Sequence, residues 1–293
     1  MRLSLHCGEC RTYHVKTHAA GTLSSNSSAA KSVDPGELLV YKVLEMTGNG
    51  CESLFFQRNC ADLYIATLDA GHGGSFDLFK RATGSVDCEA DMSYGTNLWG
   101  CLDMINPRPK QNSWDTVEAM AQSDATAQRF LFNIASLDML SRIFRLHDLL
   151  NNYDNFGFVT SASGQFVLKM IDFRIADDYN LAVSDLHFDG FLAGNSLFNY
   201  ISSHRIMRFA LHDRSARERV KEALRALQAD SLSQLHACID TACAFVLQYL
   251  QSLELSDQEE IHAEMMTDRL LSLRDVFHQN VSYFTARLQS WLD

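Results

Sequence analysis

His147-Asp148-Leu149-Leu150-Asn151-Asn152-Tyr153-Asp154-Asn155-Phe156-Gly157-Phe158, followed by Met170-Ile171-Asp172-Phe173, is the stretch on which the fold turns. Two short apolar runs, 156–159 and 166–171, read as antiparallel strands that reverse through Thr160-Ser161-Ala162-Ser163-Gly164. Asn155 enters the first strand and Asp172 leaves the second. A hairpin brings those two ends together, and a carboxamide beside a carboxylate offers hard oxygen donors to a divalent cation. Asp148, just upstream, can face the same spot as a base.

Working upstream, residues 125–146 carry a helical pattern, with Phe130, Ile134, Leu137, Leu140 and Phe144 at three- and four-residue steps. Gly71-His72-Gly73-Gly74 breaks the chain before it, and 53–57 and 62–68 read as strands. A well-marked helix precedes them: Asp34 is its N-cap, Pro35 its first position, and Gly48 and Gly50 its stop. Residues 19–32 are Ala/Ser/Gly/Asn-rich and read as a loop. The N-terminus reads as two strands, 3–6 and 11–17, around Cys7-Gly8-Glu9-Cys10, with Tyr13 and Val15 alternating against His14 and Lys16. Downstream of Asp172 the chain becomes helical over 196–210, 215–229, 231–253 and 256–292, the last with a break. The expected class is α+β, with a small β-rich part at 1–70 and a larger helical part at 71–293.

The 293 residues are 46% hydrophobic, so the chain is globular. A net charge of −11 without a dense Lys/Arg run argues against a nucleic-acid groove. No apolar run is long enough to cross a bilayer, and Met1–Leu5 lacks the apolar core of a secretory signal. The eight cysteines are therefore expected to be reduced thiols in a cytoplasmic setting. His6, Cys7, Cys10, His14 and His18 have zinc-ligand chemistry, but the pairs are too close for a chelating loop, and a plain hairpin is the simpler reading. The basic run Arg214–Arg225 is interleaved with Glu218 and Glu222, the pattern of a solvated helix face. Met265, Met266, Phe277, Tyr283, Phe284 and Trp291 read as helix-packing residues.

This order of elements, with Lys16, Glu37, Asp148, Asn155 and Asp172 at those points, resembles the protein-kinase-like superfamily. Its catalytic end is closer to atypical members such as actin-fragmin kinase and the phosphatidylinositol kinases. The resemblance implies a bilobal fold and the cofactors ATP and Mg²⁺. It implies that Lys16 steadies the nucleotide phosphates and pairs with Glu37, with Glu45 the weaker partner and Lys42 the rival lysine. By the same likeness Thr67, Leu68 and Asp69 belong to the segment that receives the adenine. Asp148 is implied as base, with Asn155 and Asp172 as metal ligands.

The sequence departs from the family pattern in four ways. Asp148 and Asn155 are seven positions apart, two more than usual, which leaves Asp154 open as base or second ligand and Asn151 or Asn152 open in place of Asn155. Arg174 replaces the glycine after Asp172-Phe173, no Ala-Pro-Glu-like segment follows, and no glycine-rich loop precedes Lys16. The expected function is an ATP/Mg²⁺-dependent kinase acting on a protein Ser/Thr or on a lipid or small-molecule hydroxyl. The alternatives are a pseudokinase binding module and nucleotidyl transfer on the same fold. By analogy, a divergent kinase-like chain of this kind suits a bacterial effector delivered into a host cytosol.

Overall fold

The computed structural model describes residues 2–7, 9–16, 34–57, 63–72, 75–78, 124–147, 155–160, 166–175, 181–193, 214–253 and 257–293. Among them an N-terminal four-stranded sheet is followed by a mostly helical remainder. This is an α+β arrangement compatible with a kinase-like fold that has a small N-terminal lobe.

Strands β1 (Arg2–Cys7) and β2 (Glu9–Lys16) pair from Arg2↔His14 to Cys7↔Glu9, so the chain reverses within the expected tetrapeptide. β3 (Ser53–Gln57) and β4 (Leu63–Leu68) complete an antiparallel sheet of order β1-β2-β4-β3. Tyr13 is buried while His14 is exposed, the two-residue period of a half-buried strand. The side chains of His6, Cys7 and Cys10, and all of His18, lie outside the described residues.

Helix α1 (Pro35–Met46) starts and stops where its signals are. The Asp34 carboxylate accepts from the Gly36 N–H at 2.7 Å, and Pro35 stands at the first position, where no N–H is needed. Gly48 adopts φ +76° past the last turn, a conformation that favours glycine. Every residue from Pro35 to Leu44 is buried, so α1 is surrounded by protein rather than lying on the surface. Lys42 accordingly has a structural role. Its Nζ donates to the Glu45 carboxylate at 2.8 Å and to the Ser53 carbonyl, and it lies 4.6 Å from the Phe245 ring centroid.

After Gly71 the chain does not pass directly into helix. β5 (Ser75–Leu78) forms the edge of a second sheet, β5-β7-β8, with the hairpin strands β7 (Phe156–Thr160) and β8 (Phe166–Met170). Helix α2 (Asp124–Ile143) packs on this sheet, and the Asn133 side-chain oxygen accepts from the Leu168 N–H at 2.9 Å. β6 (Leu146–His147) pairs with β9 (Arg174–Ile175), which ties the end of α2 to the chain just past Asp172.

Helix α3 (Asp185–Ala193) precedes three long helical segments, α4 (Arg214–Leu227), α5 (Ser233–Gln251) and α6 (Asp257–Leu292). The expected break between α4 and α5 is a π-helical turn, Gln228–Leu232, so helix runs on without a gap. α6 is likewise unbroken across its 36 residues. The helix expected over 196–210 lies outside the described residues. Phe144, Phe188, Phe191, Phe277 and Phe284 are buried in the core between α2, α3 and α6, with Phe144 edge-on to Phe277 at 4.9 Å.

Candidate functional site

The β7–β8 hairpin pairs Phe156 with Met170, and one step further its mouth closes. The Asn155 carbonyl accepts from the Ile171 N–H at 2.8 Å and from the Asp172 N–H at 3.3 Å. Backbone hydrogen bonds therefore fix Asn155 and Asp172 side by side, as the two apolar runs predict. Both line one cavity of about 400 Å³. The Asp172 carboxylate accepts from the following Phe173 N–H at 2.9 Å, and Phe173 is anchored in the core with its ring 4.3 Å from that of Tyr41. Asp172 is thus an accessible carboxylate beside a buried anchor.

The opposite wall comes from the end of β4. Thr67, Leu68, Asp69 and Ala70 line the same cavity, so this segment and the hairpin mouth share one space. Its backbone is partly engaged already. The Leu68 N–H donates to the Glu52 carbonyl and the Asp69 N–H to the Thr12 carbonyl, both at 2.8 Å. The Asp69 carboxylate is doubly used as well, taking the Gly71 N–H at 2.9 Å and facing His14 Nε2 at 2.8 Å. The Leu68 and Asp69 amides are thus committed to the protein's own hydrogen bonds, and Thr67 is paired with His14 in the sheet.

Helix α1 supplies the back wall through Tyr41. Its phenol is pushed well above its ordinary value, first by complete burial and then by the carboxylates of Asp172 and Glu37 and the Cys51 thiol. The hydroxyl therefore stays protonated beside two carboxylates. Glu37 is buried one helical turn before Tyr41. Glu45, the weaker candidate, is taken up by Lys42 and by the Ser53 N–H and hydroxyl, both at 2.9 Å.

The remaining predicted residues are only partly visible. Lys16 sits on β2 opposite Ile65, and its side chain is outside the described residues. Asp148, Asn151, Asn152 and Asp154 lie outside them altogether. Tyr41, His14 and Phe76 join the cavity without having been singled out in the sequence. For Tyr41 a signal existed, since it stands four residues after Glu37 on the same helix face.

Among the described residues no group of three or more His, Cys, Asp and Glu could hold a metal alone. One carboxylate and one carboxamide suit a hard cation that shares its shell with ligand oxygens and water. No protein-family profile matches the chain, and no curated protein matches it. Among solved structures the chain is similar to the crystal structure of a Helicobacter pylori proinflammatory kinase, CtkA, at 13% identity with a TM-score of 0.42. That likeness covers 96% of this chain and 91% of the other.

Proposed function

We propose that the cavity binds ATP with Mg²⁺ and that the chain transfers the terminal phosphoryl group to a hydroxyl of a protein, a lipid or a small molecule. One observation carries this reading: Asn155 and Asp172, fixed together by the hairpin mouth, line the same cavity as Thr67–Ala70. Phosphoryl transfer asks a protein mainly to position groups and neutralise charge. In this reading Val15, Ile171 and the Thr67–Ala70 segment enclose the base, and Asn155 and Asp172 hold the cation. Lys16 approaches the phosphates from β2 with Glu37 as its partner. Asp148, or Asp154 in its place, orients the acceptor hydroxyl. Bound Mg²⁺ would neutralise charge on the phosphate oxygens.

The test compares wild type with Asp172→Ala and Asn155→Ala. ATP with Mg²⁺ should raise the melting temperature of wild type, since a ligand at about a hundred times its Kd adds about 2.7 kcal/mol. ATP turnover should fall at least about a hundredfold in Asp172→Ala, the loss of a transition-state charge contact of about 2.7 kcal/mol. Equal turnover in wild type and Asp172→Ala would overturn the assignment. Stabilisation by ATP with no turnover in wild type would mark a pseudokinase, and a nucleotide-sized mass added to protein would mark nucleotidyl transfer.

A further inference from the structure

Away from the cavity, α5 and α6 are bridged by a chain of four side chains. His236 Nδ1 lies 2.6 Å from His278 Nδ1, His278 Nε2 lies 2.8 Å from the Asp240 carboxylate, and the Ser282 hydroxyl lies 3.5 Å from His236 Nε2. His236 and Asp240 stand one turn apart on α5, and His278 and Ser282 one turn apart on α6. The two imidazole planes agree within 7° and their centroids are 4.9 Å apart. That separation matches the nitrogen–nitrogen distance plus one ring radius on each side, the largest value the contact permits. The rings therefore meet edge to edge in one plane, nitrogen to nitrogen, and are not stacked face to face.

An in-plane contact of this length is a hydrogen bond with one proton between the nitrogens. Two ligands on one zinc, each bonded at about 2.0 Å near the tetrahedral angle, stay farther apart than this. The proton count along the chain can be worked through. With both rings neutral, His278 Nε2–H donates to Asp240, His236 Nδ1–H donates to His278 Nδ1, and the Ser282 hydroxyl donates to His236 Nε2. One added proton is accommodated: His278 Nδ1–H now donates to His236 Nδ1, and His236 Nε2–H donates to the Ser282 oxygen. A second added proton puts an N–H on both sides of the central contact, which then has two donors, no acceptor and two like charges.

We infer that Ser282, His236, His278 and Asp240 form a proton-counting latch that joins α5 to α6 and parts when both histidines are charged. Both helices pack on α1, which carries Glu37 and Tyr41. Burial first, and then His278, hold His236 below its usual range, against the opposite pull of Asp240. Arg274 on α6 lies within electrostatic reach of Asp240 and pairs with Asp275 at 2.7 Å. Asp230 in the π-helical turn is exposed. From α1, Lys42 reaches Phe245, about two and a half turns further along α5 than His236.

Two measurements on the full chain test the latch. Histidine-ring NMR titration of wild type should show His236 and His278 titrating in two well-separated steps. A single common step near the ordinary histidine value would overturn the proposal. Melting curves should show wild type losing about 3 °C or more beyond His236→Gln between pH 7.5 and pH 5, a shift resolvable for a chain of this size. Parallel pH dependence of the two proteins would also overturn it. A zinc-induced rise in the melting temperature of wild type, absent in His236→Gln, would replace the latch with a metal site.

Discussion

His187 shows how far a single side chain can be read from its surroundings. Its Nδ1 accepts from the Ser184 N–H at 3.0 Å, its carbonyl accepts from Arg142 at 3.1 Å, and Arg145 lies against its other ring nitrogen. Burial first, and the two guanidiniums second, lower its pKa to about 4. An unfolded histidine near 6.5 binds the proton that the folded one refuses, so the unfolded state gains protons as pH drops. Stability is then fully present above about pH 6.5 and falls as the pH moves from there toward about 4. His187→Gln should flatten the melting temperature against pH across that window, and an unchanged slope would contradict the assignment. None of this was legible in the sequence, which shows His187 between Asp185 and Asp189 but not the Arg142 and Arg145 guanidiniums that pack on it. The placement of Asn155 beside Asp172 was legible, because it follows from the two ends of one hairpin. Tyr41 left only its four-residue spacing from Glu37 as a trace, because an aromatic among Leu39, Val40 and Val43 looks like core until the cavity beside it is known.

At the scale of elements, what the sequence shows depends on whether the signal is local. α1 was readable to within a residue or two because its cap, proline and glycine stop act within a turn of the helix ends. β5 was not, since four residues are too few for alternation to stand out and its pairing partner is β7, far along the chain. The unbroken α6 rests on tertiary contacts. Asn280 is buried on it, donates to the Ile143 carbonyl at 2.8 Å and the Leu181 carbonyl at 2.9 Å, and accepts from the Val183 N–H at 2.9 Å. One side chain thus joins α6 to the end of α2 and to the segment entering α3. Asn280→Ala strands these backbone groups without partners, and each unsatisfied buried group costs about 1–3 kcal/mol. A loss of about 3 kcal/mol or more is expected by urea denaturation with an unchanged m-value. A loss below about 1 kcal/mol would mean that water or neighbouring groups replace all three bonds.

For the whole molecule the question is whether the N-terminal sheet and the helical remainder unfold together. Three features join them. α1 is buried from Pro35 to Leu44, and it packs on β3 as well as on α5 and α6. The turn after it hooks onto β8, with the Asn49 carbonyl accepting from the Met170 N–H at 2.7 Å and its side chain donating to the Leu168 carbonyl at 3.3 Å. Arg269 on α6 reaches the Asp34 cap at 3.0 Å, a half-exposed ion pair worth little by itself. A small β-rich part that shares its central helix with the larger core has little apolar surface of its own to bury, which favours one cooperative transition. Two buried thiols report on the two regions: Cys51, directly after α1, and Cys243, in the middle of α5. Burial raises both thiols above their ordinary pKa, so both should label slowly in the folded state. In a denaturant series read by mass-mapped thiol labelling, Cys51 and Cys243 should become reactive at one common midpoint. Labelling of Cys51 at a clearly lower denaturant concentration would show that the sheet and α1 open by themselves, and α1 would then be the hinge of the molecule and not its shared core.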